Sequence, residues 1–198
     1  MVGQRLAGVP MIAIPAGFSP EEYLAIEQDA LIRHEYRQGL VYAMAGGSDS
    51  HNRLCINLLT AINLHLGDRD CQLFSSEVKV NYADAFYYYP DVFVTCDPRD
   101  RQDRYVKRFP ILIVEVLSAS TAAFDRGDKF ADYQRLPSLQ EYGLIHQDRP
   151  RVDCYRRPSH PGDPWPMVSY GLGDRLILAS MGLDVAIADL YRGVELTA

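Results

Sequence analysis

A chain of 198 residues, 47% hydrophobic and 23% charged, fits one ordinary globular domain with a well-filled core, and this composition excludes a disordered or fibrous protein. A net charge of -6 runs against a broad basic surface for gripping nucleic acid, and an enzyme would confine its phosphate-binding groups to one cleft. No apolar run approaches the roughly 18 to 20 residues needed to cross a bilayer.

Residues 1–17 read as a flexible arm ahead of a single domain over 18–198. The stretch from Leu6 to Gly17 is apolar enough to suggest a signal peptide, but Pro10 and Pro15 interrupt it and only Arg5 is basic. A cytoplasmic protein is expected. Ser19-Pro-Glu-Glu22 combines an N-cap serine, proline at the first helical position and a capping-box glutamate, predicting a helix to about Leu31. His34 to Arg37 and Leu40 to Met44 flank Gln38-Gly39, the signal of a tight hairpin. From Ser48 the pattern Leu54, Leu58, Leu59, Ile62, Leu66 repeats at helical spacing and predicts a second helix closing near Gly67.

The middle third changes period. Residues 71–82 and 86–96 are rich in aromatic and β-branched side chains and read as two strands turning near Asp84. Ile111 to Leu117 is almost uninterrupted apolar sequence, as expected of a central strand covered on both faces. Ser120 or Thr121 can cap a third helix running to about Arg135, where Pro137 stops it. Strands are expected from Tyr142 to His146 and Val152 to Tyr155, turning at Asp148-Arg149-Pro150. A Pro-rich loop covers 158–166, two or three short strands lie between Met167 and Ile187, and a helical turn spans Ala188 to Gly193. The fold class is α/β, a central mixed β-sheet flanked by helices.

Cys55, Cys71, Cys96 and Cys154 lie far apart and form no zinc-type spacing, so four reduced, buried thiols are expected. Arg99, Arg101, Arg104, Lys107 and Arg108 form a basic run, read either as part of a cleft or as a solvated loop.

Candidate chemistry centres on Glu115, the only charge on its strand. Alternation puts it on the face of Ile111, Ile113 and Leu117. Burying an isolated carboxylate costs several kcal/mol unless a metal or a cation compensates, so a functional role is favoured over a buried salt bridge. Pro90-Asp91 opens a second strand. Asp91 alone reads as a turn residue, but two carboxylates on neighbouring strands suit magnesium, which takes a few protein oxygens and keeps several waters. The third helix brings Asp125, Lys129 and Tyr133 onto one face. An exposed ion pair is the plain reading, and a lysine that assists the attacking water is the functional one.

Tyr36 to Gly39, Pro90-Asp91-Val92, Val114 to Ser118, Asp125 with Lys129 and Tyr133, and Glu141-Tyr142 stand in an order that resembles the Uma-two family of restriction endonuclease-like proteins. That family is assigned to the PD-(D/E)xK nuclease superfamily, and the likeness spans roughly residues 18–190. The resemblance implies a restriction-endonuclease-like core with Asp91 and Glu115 as metal ligands and Lys129 as the catalytic lysine. It implies Mg²⁺, with Mn²⁺ as a substitute, DNA as substrate, and products bearing a 5′-phosphate and a 3′-hydroxyl. Glu35 falls where such nucleases often carry an extra acidic residue. It would add a ligand or orient a water, the alternative being an exposed hairpin charge. His51 approaches the site or serves as a capping or core histidine.

One departure is visible: Leu117 stands where the superfamily places its lysine, and the resemblance implies that Lys129 on the following helix takes that role. Glu77-Val78-Lys79 matches E-x-K literally but lacks a Pro-Asp strand before it. Its alternation with Val80 suggests an exposed face that can still line the cleft. The competing readings are a catalytically inactive DNA- or protein-binding module on the same fold, and a two-carboxylate glycosidase. The only tryptophan, Trp165, sits in the Pro-rich loop and gives the glycosidase no sugar-stacking cleft. A homodimer is expected by analogy with nuclease architecture, and no membrane partner.

Overall fold

The computed structural model describes residues 17–44 and 46–196. The arm expected over 1–17 lies outside the described residues except for Gly17. Helix α1 (Pro20–Asp29) starts with both halves of its capping box: Ser19 Oγ accepts from Glu22 N and Glu22 Oε2 accepts from Ser19 N. Strands β1 (His34–Arg37) and β2 (Leu40–Ala43) turn through Gln38 (φ 48°) and Gly39 (φ 91°), the paired positive angles that match strand twist. Helix α2 (Asp49–Leu66) is capped by Ser48 and ends at Gly67.

The expected strand pair over 71–96 is in fact four strands: β3 (Gln72–Ser75), β4 (Lys79–Tyr82), β5 (Phe86–Tyr88) and β6 (Val92–Thr95). A turn at 75–78 divides the first stretch. Pro90 divides the second, because it has no N–H to continue a ladder. The chain then makes a 3-10 turn (Pro98–Arg101), β7 (Val106–Lys107) and the central β8 (Pro110–Leu117). The expected third helix is broken into α3 (Ala122–Arg126) and α4 (Asp128–Gln134). At the break, Gly127 N bonds to both Ala123 O and Phe124 O, and a Cβ on Gly127 would stand 3.1 Å from Ala123 O. Neither Ser120 nor Thr121 caps α3 by its side chain; Ser118 Oγ instead accepts from Thr121 N. The chain continues through β9 (Glu141–His146), β10 (Arg151–Arg156), β11 (Met167–Gly171), β12 (Arg175–Leu178), β13 (Leu183–Ala186) and α5 (Ile187–Leu190).

These strands form a mixed six-stranded sheet, β11-β10-β9-β8-β6-β3, in which only β8 and β9 run parallel. A second sheet, β2-β1-β5-β4-β7, has five strands, and β12 and β13 pair by themselves. One face of β8 sends Leu112, Val114 and Val116 into an aliphatic core with Leu54, Leu58 and Ile62 of α2 and with the β12–β13 hairpin. The other face sends Ile113 and Leu117 into an aromatic core with Phe86 and Tyr88 of the second sheet and Tyr133 of α4. Each fully buried leucine or isoleucine here contributes about 1.5–3 kcal/mol.

The cysteine expectation is half corrected. Cys55 and Cys154 are buried free thiols, whereas Cys71 and Cys96 form a disulfide. They flank the cross-strand pair Gln72–Thr95, so the ladder itself brings them together across 25 residues of sequence. Among the described residues no helix is long and apolar enough to cross a membrane.

Candidate active site

Pro90 is where the chain leaves one sheet for the other, and Asp91 sits at that junction. Its Oδ2 accepts from Val116 N at 2.8 Å, which ties it to β8, and its own N–H donates to Glu115 Oε2 at 3.2 Å. The two carboxylates are thus held side by side by backbone. Oδ1 of Asp91 faces His51 Nε2 at 3.1 Å. Ser48 caps the first turn of α2 and accepts from His51 N, so the cap also sets the ring's approach.

Glu115 faces the aromatic core, as alternation predicts, and is 3% exposed. Its Oε1 receives Lys129 Nζ at 3.0 Å and the Tyr133 hydroxyl at 3.0 Å. Lys129, 5% exposed, also lies 3.1 Å from Glu35 Oε1 and 3.8 Å from Asp125 Oδ1, with its ammonium over the Tyr88 ring. Glu35 is fixed from the second sheet by Tyr89 N at 3.0 Å. Tyr142 OH donates to Asp125 O and pins the end of α3 to β9.

Three carboxylates therefore crowd one ammonium, and Asp91 adjoins one of them. Burial pushes the Glu115 carboxyl well above its ordinary value; Asp91, Asp125 and Glu35 push it further, against the pull of Lys129. Burial also raises Asp125. Burial alone would lower Lys129, but Glu115, Glu35 and Asp125 outweigh it and hold the lysine protonated, above its ordinary value. The hydrogen bond to Asp91 raises the His51 imidazole.

The structure brings Asp91, Glu115, Lys129, Glu35, Asp125, Tyr133 and His51 into one connected cluster. Glu77 and Lys79 stand outside it. Glu77 is exposed and paired with Arg33 at 2.6 Å, and Lys79 lies over the Tyr89 ring. Four of the five residues of the basic run are spent locally: Arg99 pairs with Asp97, Arg101 with Asp70, Arg108 with Asp103, and Lys107 donates to the Asp100 and Asp103 carbonyls. Sequence reasoning missed Tyr88 and Tyr89, although the aromatic run before Pro90 was the signal for both. It also missed Cys55, one helical turn beyond His51. A cleft of about 430 Å³ opens at the ends of β8 and β9, lined by Ser48, Ser118, Arg126, His146 and Arg149 among others.

The donor set suits a hard divalent cation. Asp91 and Glu115 offer oxygen ligands, and the surplus of buried negative charge around Lys129 is what such an ion would balance.

The sequence model of the Uma2 family, described as "Putative restriction endonuclease", matches residues 20–188. Two proteins of Synechocystis sp. are similar over most of their lengths. "Uncharacterized protein slr1290" is 43% identical across 89% of this chain and 92% of its own. "Uncharacterized protein sll1609" is 40% identical across 69% and 78%. A crystal structure titled as a putative nuclease belonging to DUF820 from Anabaena variabilis superimposes with a TM-score of 0.74, at 18% identity, over 90% of this chain and 99% of that one. That likeness fixes the fold, and the family match, running from α1 to α5 across the whole acidic cluster, fixes the kinship: this chain belongs to the Uma2 family of restriction endonuclease-like proteins.

Proposed function

We propose that the chain is a magnesium-dependent endonuclease that hydrolyses phosphodiester bonds of DNA, with Asp91 and Glu115 as metal ligands and Lys129 as the catalytic lysine. The observation that carries this reading is the convergence of Glu115, Glu35 and Asp125 on the buried Lys129, with Asp91 bonded through its backbone N–H to Glu115. A stable fold gains nothing from three carboxylates competing for one ammonium, whereas a metal and a phosphodiester require that charge balance.

Bound magnesium, or manganese in its place, supplies Lewis-acid polarisation of the scissile phosphate and acidifies water. The chain's own groups do the rest. Val116 N–H holds Asp91 Oδ2 and so leaves the other oxygen facing His51. Tyr133 OH and Lys129 Nζ orient Glu115 Oε1. Lys129 keeps its proton at Nζ and donates to a phosphoryl oxygen as charge builds there, with Glu35 and Asp125 restraining its swing. The cleft lined by Ser118, Arg126 and Arg149 borders the cluster without being lined by its carboxylates, and its two arginines would take the DNA backbone against the charge of Asp49 and Asp148. A homodimer would set one centre against each strand of a duplex.

The test is cleavage of supercoiled, linear and single-stranded DNA with Mg²⁺, Mn²⁺ or EDTA, alongside end-labelling of the products. Metal-dependent nicking that leaves 5′-phosphates and 3′-hydroxyls is expected. A folded protein that cuts no substrate, or one that leaves 3′-phosphates, overturns the reading. In the first case a binding module on the same fold takes its place.

A further inference from the structure

Helix α2 carries His51 and Cys55 one turn apart, and this i,i+4 spacing brings both side chains to Asp91. A ring nitrogen of His51, Cys55 Sγ and a carboxylate oxygen of Asp91 all lie within 4.8 Å of one another. Zinc-type bonds of about 2.0–2.3 Å set tetrahedral ligand atoms roughly 3.3–3.8 Å apart, so the three close on one ion by movements of about 1 Å. Little else restrains them. His51 Nδ1 is buried without a hydrogen-bond partner, so the ring can turn either nitrogen toward an ion without losing a second bond. Asp91 keeps Oδ2 on Val116 N while Oδ1 faces His51.

We infer that His51, Cys55 and Asp91 form a binding site for a thiophilic divalent transition metal of the zinc or cobalt(II) class, distinct from a magnesium site and sharing Asp91 with it. The donor set decides the class. Magnesium is held by oxygen and rejects sulfur, whereas a nitrogen, a thiolate and a carboxylate together suit zinc and its neighbours. Three protein ligands leave a fourth position open. Binding expels the Cys55 thiol proton and any proton on the coordinating ring nitrogen, both to solvent. Because Asp91 is common to both sites, the softer ion competes with magnesium for it.

The experiment titrates the full, unreduced chain with Co²⁺ alone, so that Cys71 and Cys96 stay bonded. One equivalent should bind with a thiolate-to-cobalt charge-transfer band. Cys55→Ser should abolish the band, His51→Ala should weaken binding by about 10–100-fold, and Cys154→Ser should leave both unchanged. Circular dichroism accompanies each variant. A second readout needs no variant: Zn²⁺ should slow alkylation of Cys55, mapped by mass spectrometry, while the fully buried Cys154 stays unreactive with or without the ion. A wild type without the band, a band that survives in Cys55→Ser, or zinc that leaves Cys55 alkylation unchanged overturns the site. The readouts involve no DNA, so the site and the nuclease reading fail separately.

Discussion

Two glutamates buried on adjacent parallel strands meet opposite surroundings. Glu141 opens β9 at 2% exposure, and its oxygens receive Arg156 Nε at 3.0 Å, Ala179 N at 3.0 Å and Ser180 N at 2.7 Å. Each donor belongs to that carboxylate. Glu115, near the far end of β8 at 3% exposure, has Lys129 as its cation but shares it with Glu35 and Asp125. Burial is the same, and the balance of cations to carboxylates is not. A buried carboxylate with its own donors is a structural clamp, here fastening the segment after β12 to β9. One that shares its only cation with other carboxylates is the stronger candidate for a site.

The sharpest test swaps each for its neutral isostere. Glu115→Gln should lower metal-dependent cleavage by about 10²–10³-fold or more, while the folding free energy moves by less than about 1 kcal/mol. Glutamine keeps the shape, and Lys129 retains Glu35 and Asp125 as partners. The opposite pattern is expected at the other strand. Glu141→Gln should cost about 3 kcal/mol in urea unfolding, because the amide's NH₂ now faces donors and Arg156 loses its charge partner. The figure sits at the low end because the Arg156 side chain keeps 31% exposure to water. Cleavage per folded molecule should persist. Equal stability losses at the two positions would dissolve the distinction between clamp and site.

The pH dependence of stability sharpens it further. Folded Glu115 binds its proton more tightly than the unfolded chain does, for which the ordinary value is 4.5. Its contribution is therefore fully present below that value and lost as pH rises through the raised folded one. Asp125 acts in the same sense from 3.8. Asp153 acts in the other: hydrogen bonds from Ser169, His146 and Arg151 outweigh its burial and hold it at about 2, so its contribution is present above 3.8 and lost on acidification. In EDTA, urea midpoints should fall as pH rises above 4.5, and Glu115→Gln should flatten that fall. A slope unchanged in the variant would show that Glu115 is not the group responsible.

Much of this was legible in the chain. Caps, the Gln38-Gly39 turn and the apolar run of β8 are local signals, and they fixed α1, α2, the first hairpin and the face of Glu115. The PD-(D/E)xK order added Asp91 and Lys129. Division of the middle third between two sheets was not legible, because Pro90 states that a ladder stops and not where the next one pairs. The Cys71–Cys96 bond depends on the register of β3 with β6, which no spacing rule contains. Glu35 was ambiguous for the same reason: only the pairing of β1 with β5 brings it to Tyr89 N and Lys129.

The smallest expected effect concerns Tyr133, whose hydroxyl donates to Glu115 Oε1 from within the aromatic core. Tyr133→Phe leaves the ring packing in place and removes one donor to the carboxylate. The lost bond favoured the charged form of Glu115, so its carboxyl should titrate at still higher pH and the acidic limb of the cleavage profile should move upward. Cleavage at neutral pH should fall by about tenfold, the size expected of a residue that orients a ligand without touching substrate. The shift in the limb separates this role from simple loss of stability, which would lower cleavage at every pH alike. If Tyr133→Phe lowers cleavage uniformly, the hydroxyl is a packing group. If it moves the limb, the aromatic face of β8 tunes the site as well as enclosing it.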